Sequence, residues 1–278
     1  MTRRQAQLAP VLQPIAVILL MTTLIALPLW LVIITSAKTV GEALNPNLTL
    51  PTSWRFAENY TQAAVRGEIV PAFVGSVAVV VPAVLGVLIL GAMAAWTFAR
   101  RAGALSSVLY GIAISGVLIP PAAVTVVLVL RQMGLAGTQV GMIGVYMGMY
   151  LSLVIFFITG FVRTVPIELE EAARVDGAGP GRVFFQIILP LLAPVMATSA
   201  ILVTLFAWND VFYAFFVLGG GDSTTMPLNL FKVASAALYT NAWNLIFAYV
   251  VVTSIPLVVL FSIAQRQIVS GITSGAVK

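Results

Sequence analysis

Apolar residues in this chain arrive in long blocks separated by short polar intervals. A helix needs about 20 predominantly apolar residues to cross the hydrocarbon of a bilayer. Six blocks reach that length, running from about Leu12 to Thr35, Val70 to Phe98, Leu105 to Leu130, Val140 to Val162, Phe184 towards Leu218, and Trp243 to Ala264. Pro120 and Pro121 break the third, Pro190 and Pro194 interrupt the fifth, and Pro256 lies inside the sixth. The pattern predicts an all-α, polytopic membrane protein with six transmembrane helices. The apolar run from Val11 to Ser36 exceeds the core of a secretory signal, so it is expected to stay as the first span.

Composition agrees with a lipid solvent. Of 278 residues, 60% are hydrophobic and 8% charged, against about 25% charged in ordinary soluble domains. There is no Cys and no His, which removes thiolate chemistry and the commonest metal ligand and acid/base group. No basic tract suits nucleic acid. The net charge of +5 reads instead as orientation. Alternating the polar intervals across a membrane puts Arg3, Arg4, Arg100, Arg101, Arg163, Arg174, Arg182, Arg266 and Lys278 on the side of the N-terminus. Lys38, Arg55, Arg66, Arg131 and Lys232 fall opposite. Lys and Arg accumulate on the cytoplasmic side, so both termini are expected there. Residues 37–69 form the longest loop, on the outer side.

The stretch after the fourth span breaks the apolar pattern most sharply. It holds Glu168, Glu170, Glu171, Arg174, Asp176 and Arg182. Six charges at a bilayer centre would cost roughly 15–20 kcal/mol, so the segment lies in water, on the cytoplasmic side. Pro166 fits the start of a short helix, and the carboxylates suit its positive end. Ala172 and Ala173 continue it, Gly177 ends it in a left-handed turn, and Gly179-Pro180 opens a second helix. A knob with two small residues ringed by charge suits docking against another protein. A solvated loop helix without a partner is the plainer alternative.

Elsewhere, chemistry is sparse. Trp208, Asn209, Asp210 and Tyr213 sit near the outer end of the fifth span and supply types able to cap a broken helix, gate a pathway or line it. Asp210 is the main ionisable residue within a span, a thin basis for ion coupling. Gly144 and Gly148, with Gly141 before them, predict close helix contact. No G-x-x-x-x-G-K-[ST] phosphate loop is present, and Gly219 to Gly221 lack the Lys it requires.

Glu171-Ala172-Ala173, followed by Gly177, Ile187, Leu189 and Pro190, resembles the EAA signature of ABC-transporter permease subunits of bacterial importers. PIELEEAARVDGAG, FAWNDVFYAF and AQRQIVSGITSGAVK are similar to the carbohydrate-uptake, maltose-type branch. Gly179 departs from the Ser or Thr often found there. The resemblance implies a type I ABC importer permease fold and a single membrane domain over residues 1–278. That domain divides into a first span with its outer loop at 1–69, a core at 70–264 and a cytoplasmic tail at 265–278. In such permeases the loop, here 163–190, couples to an ATPase, which would assign Glu171, Ala172, Ala173, Asp176, Gly177, Ile187, Leu189 and Pro190 to that role. The implied partners are a homologous permease subunit, two ATPase subunits, an extracytoplasmic solute-binding protein and membrane lipid, and not nucleic acid. The chain is then expected to be no enzyme and to hold no cofactor, with ATP and Mg on the partner subunits. An ion-driven carrier or channel subunit is the alternative. The tail is too polar to stay in lipid beyond Ala264 and is expected either to reach the ATPases or to be disordered.

Because the chain has no Cys, Ala172→Cys should react with a membrane-impermeant maleimide in inside-out vesicles and stay unlabelled in intact spheroplasts. The reverse pattern would invert the orientation.

Overall fold

Helix is the regular structure of this chain throughout residues 3–119, 121–219, 221–237 and 241–276, which the computed structural model describes. The elements are α1 (Arg3–Ser36), α2 (Val40–Ala43), α3 (Phe56–Arg66), α4 (Ile69–Arg100), α5 (Ala104–Ser115), α6 (Ala123–Gln132), α7 (Gln139–Val162), α8 (Glu168–Val175) and α9 (Pro180–Val183). A π-helical turn (Phe184–Ile188) leads into α10 (Leu189–Leu191), α11 (Ala193–Asn209), α12 (Phe212–Leu218), α13 (Met226–Ala237) and α14 (Trp243–Ala276). Helices are the economical solution, because in lipid each backbone amide must be satisfied within its own segment.

α1, α4, α7 and α14 are each long and apolar enough to cross a membrane. The fifth expected span is a bent pair, Pro180–Leu191 and Ala193–Asn209, meeting at 74°. It stops at Asn209 and does not run on to Leu218, because the chain breaks at Asp210 before α12. The third expected span is divided between α5 and α6, neither long enough alone. Of the two prolines expected at that break, Pro120 lies outside the described residues, and Pro121 precedes α6.

The polar intervals hold more structure than the sequence pattern suggested. The loop at 37–69 carries α2 and the amphipathic α3, and the interval 219–242 carries α13. After Ala264 the backbone stays helical as far as Ala276, since no proline follows to break it.

The chain forms two compact units, one of residues 1–69 and 229–255, the other of 70–228 and 256–278. The first has a polar core. Lys38 is buried and donates to Asn47 through Oδ1 at 2.7 Å and the carbonyl at 3.0 Å. Buried Asn59 donates to the carbonyls of Ser36 and Lys38 and accepts from Asn244 at 2.9 Å. Asn229 donates to the Tyr249 hydroxyl at 3.0 Å and to the Gly67 carbonyl. Each of these groups would be costly to bury unpaired. The flank of α1 carries exposed aliphatics such as Ile18, Leu19 and Leu24, the dress of a lipid-facing helix.

In the second unit α5 and α11 pack against α7, whose Met142, Tyr146, Val154, Ile158 and Val162 are buried. Gly75 is required by a close approach, because a Cβ there would stand 2.0 Å from the Thr224 carbonyl oxygen. Among the described residues the expected close contact at Gly144 and Gly148 is not made. No tertiary neighbour comes within 4 Å of a Cβ placed at either, and both line an open apolar groove of about 550 Å³ with Thr125, Val129 and Met149.

Glu42 ties the loop at 37–69 together. It accepts from the Thr52 hydroxyl (2.5 Å) and amide (2.9 Å), and from the Thr39 amide (3.2 Å) and hydroxyl (3.1 Å). These donors, the Thr52 hydroxyl first, hold its pKa down to about 2 from an ordinary 4.5. With the folded value below the unfolded one, its contribution is complete above pH 4.5 and lost as pH falls through about 2. Amide exchange over residues 39–52, corrected for intrinsic rates, is therefore expected to stay slow down to roughly pH 3. Glu42→Gln should exchange faster at neutral pH.

Candidate functional site: a charged hairpin and an aromatic cleft

The chain leaves α7 through Arg163, whose guanidinium lies 5.4 Å from the Tyr110 ring centre. It then reverses through α8. This helix begins at Glu168, two residues after Pro166, with Glu168, Glu170 and Glu171 in its first turn. No side chain caps that start, so the carboxylates supply the negative charge that the helix end favours. Gly177 ends the helix at φ 83°. Its amide returns to the Arg174 carbonyl at 3.0 Å and the Ala178 amide to the Ala173 carbonyl at 2.9 Å, the paired bonds of a Schellman turn. Gly179, extended at φ −70° and ψ 167°, and Pro180 then open α9.

The second limb is not uniform helix. Pro190 and Pro194 have no N–H, so carbonyls one turn earlier lose their usual partners. The chain responds with the π turn, in which the Leu189 amide reaches the Phe184 carbonyl, and with the bend at buried Leu192.

α8 has two unlike faces. Glu171, Ala172, Val175, Asp176 and Gly177 are exposed, Val175 at 87%. Ala173 and Glu170 are buried, the latter at 1%. Of the other sequence candidates, Ile187 and Leu189 are half-buried and Pro190 is exposed.

Glu170 is the residue that sequence reasoning misplaced, as one solvated charge among six. Its Oε1 accepts from Arg100 Nε at 2.7 Å and its Oε2 from Trp96 Nε1 at 3.1 Å, with Arg174 further off at 3.5 Å. Arg100 also donates from Nη2 to the Val165 carbonyl at 2.8 Å. The Trp96 ring centre lies 5.5 Å from that of buried Phe184. Arg100, counted as an orientation marker, thus has a specific partner 70 residues away in sequence. Spacing alone could not have found it.

The second candidate group lies where α11 gives way to α12. Asp210 accepts from the Tyr213 amide (3.2 Å), the Ala214 amide (3.0 Å) and the Tyr146 hydroxyl (3.0 Å). It caps α12, the first of the three roles its sequence allowed. Asn209, exposed, donates to the Leu205 carbonyl at 2.8 Å, and Tyr213 donates to the Pro121 carbonyl at 2.9 Å. Asn209, Asp210 and Tyr213 line one open cleft of about 570 Å³ with Tyr150 and Phe206. Trp208 is not among its walls. It is buried and packs edge-on against Phe73 at 6.0 Å. Tyr150 and Phe206, near-parallel at 6.1 Å, were missed because aromatic residues in apolar spans look alike from sequence. Among the described residues no three His, Asp or Glu side chains gather to hold a metal ion.

The family profile for binding-protein-dependent transport system inner membrane components matches residues 87–274. This interval includes the hairpin, Arg100, Trp96 and the cleft. The chain belongs to that family. This inner membrane component is 33% identical to the diacetylchitobiose uptake system permease protein of Streptomyces coelicolor, over 94% of this chain and 86% of the relative. It is 32% identical to the melibiose/raffinose/stachyose import permease protein of Bacillus subtilis, over 91% of each chain. Its fold matches a chain in the crystal structure of a bacterial ABC transporter involved in import of the acidic polysaccharide alginate. That match has a TM-score of 0.78 and 20% identity, and covers 96% of this chain and 98% of the other. The inner membrane component is accordingly an all-α, multi-pass permease subunit.

Gly177 offers a clean test of the hairpin turn. A Cβ there meets nothing within 4 Å, so Gly177→Ala is expected to cost only the backbone term, about 1 kcal/mol. Amide exchange across residues 174–180 should quicken accordingly, and Gly177→Asn should recover part of the loss.

Proposed function

We propose that this chain is the permease subunit of an ATP-driven importer that moves a carbohydrate across the cytoplasmic membrane, with the hairpin at 163–190 docking a separate ATPase. One observation carries the reading: α8 is anchored on one face and turns small and acidic side chains outward on the other. Glu171, Ala172, Asp176 and Gly177 lie exposed there. An unanchored loop would yield under load, whereas this one presents a fixed surface with carboxylates for a partner's arginines. The nine-to-five division of Lys and Arg supports a cytoplasmic hairpin and cytoplasmic termini.

The carbohydrate class is supported by the sugars named for the relatives from Streptomyces and Bacillus. Membership of a binding-protein-dependent family supports an extracytoplasmic solute-binding protein as partner. A homologous permease subunit and two ATPase subunits complete the assembly, and ATP with its Mg belongs to the ATPases. The chain itself is a conduit and not a catalyst. Asn209, Asp210 and Tyr213 line the solute pathway or its gate together with Tyr150 and Phe206. Trp208 supports that wall from behind. Ile187, Leu189 and Pro190 form the return limb through which hairpin motion reaches α11. A tail contact with the ATPases from Gly271 to Lys278 falls on side chains outside the described residues.

Glu171→Lys tests the docking role. It reverses an exposed charge and leaves the buried face of α8 untouched, so membrane insertion should be unchanged. Co-purification of the ATPase subunits is expected to fall at least about ten-fold, close to the low end of the coupling energies of close interface charge pairs. Retention of the full complement would remove the hairpin from the interface.

A further inference from the structure

We propose that Glu170 is a positioning residue that locks the hairpin onto α4, so that hairpin and span move as one body when the transporter changes state. The inference rests on the reading of the hairpin as the ATPase-coupling element.

Glu170 stands between two exposed neighbours, Leu169 and Glu171, yet is itself 1% exposed. Burying a carboxylate is unfavourable unless opposite charge and donors surround it. Both oxygens are so supplied, Oε1 by Arg100 at 2.7 Å and Oε2 by the Trp96 indole at 3.1 Å. Arg174 adds little, being 3.5 Å away with its side chain 56% exposed.

Trp96 and Arg100 are four residues apart on α4, and so share one face of that helix. Each makes a second contact. Arg100 holds the Val165 carbonyl at 2.8 Å, in the link between α7 and α8. Trp96 packs against Phe184, which opens the π turn of the return limb. One face of α4 therefore grips the approach to the hairpin, its first helix and its return limb. A force applied to the exposed side of α8 is passed to α4 through short, charge-assisted bonds. It is not lost in bending of the loop. A pair that served only to stabilise the fold would change how much complex assembles, but not how the hairpin moves relative to α4.

The test uses the complete transporter complex, exploits the absence of Cys from this chain, and replaces any Cys of the partner subunits. Spin labels are placed at Glu168→Cys on α8 and Ile89→Cys on α4, both exposed sites. The distance distribution between them is recorded by pulsed electron resonance, nucleotide-free and after trapping with Mg-ATP and vanadate. With Glu170 and Arg100 intact, the distribution should be narrow and the same in both states. Glu170→Gln and Arg100→Gln should each broaden it and make its mean shift on trapping. The double variant should be no broader than either single one, since both remove one interaction. A label distance that shifts on trapping with Glu170 present would overturn the lock, as would a Glu170→Gln distribution that stays narrow and fixed. If the Gln variants fail to assemble, Trp96→Phe removes one donor and keeps a ring against Phe184. It should broaden the distribution less, and no broadening at all would count against the lock. ATPase subunits absent from the unsubstituted complex would instead defeat the docking reading, a separate and visible failure.

Discussion

Inside hydrocarbon no water is at hand to satisfy a freed amide or carbonyl, so each interruption of a helix must be repaired by the protein. The breaks in this chain are organised around that constraint. Asp210 takes the amides of Tyr213 and Ala214 where α11 ends. Thr138 takes the Gly141 amide where α7 begins. Where Pro190 withdraws a donor, the π turn passes the Leu189 amide to the Phe184 carbonyl. The departures from straight helix that shape the hairpin and the cleft are those the chain can repair locally.

Charge obeys the same economy. Glu170 is admitted to the interior only with Arg100 and Trp96 already facing it, and that requirement ties α8 to α4. The remaining carboxylates of α8 are exposed on its other face. One eight-residue helix thus has two unlike faces, because its 3.6-residue period sends Glu170 and Ala173 one way and Glu171 and Ala172 the other.

The cleft follows a related logic. Trp208, Asn209 and Asp210 are consecutive, yet Trp208 is buried against Phe73 while Asn209 faces the open cleft and Asp210 caps the next helix. Successive helical residues point about 100° apart, so adjacency in sequence says little about company in space. Tyr150 and Phe206 enter the same cleft from α7 and α11, separated by more than fifty positions.

The sequence alone determined the solvent of this protein, its helical class, the approximate bounds of its long spans and the charged helical hairpin between them. These follow from local properties: the length of apolar runs, the cost of charge in lipid, and the conformations that Gly and Pro allow. The signature around Glu171, Ala172 and Gly177 was legible for the same reason, being a spacing within one short segment. Tertiary structure decided which carboxylate is exposed and which is buried, which aromatics share the cleft, and that Gly144 and Gly148 face an open groove. It also decided that the third span is two helices and that the loop at 37–69 is built around Glu42 and Asn59. Those outcomes depend on partners tens of residues away, and a carboxylate in a sequence carries no mark of whether an arginine will come to meet it.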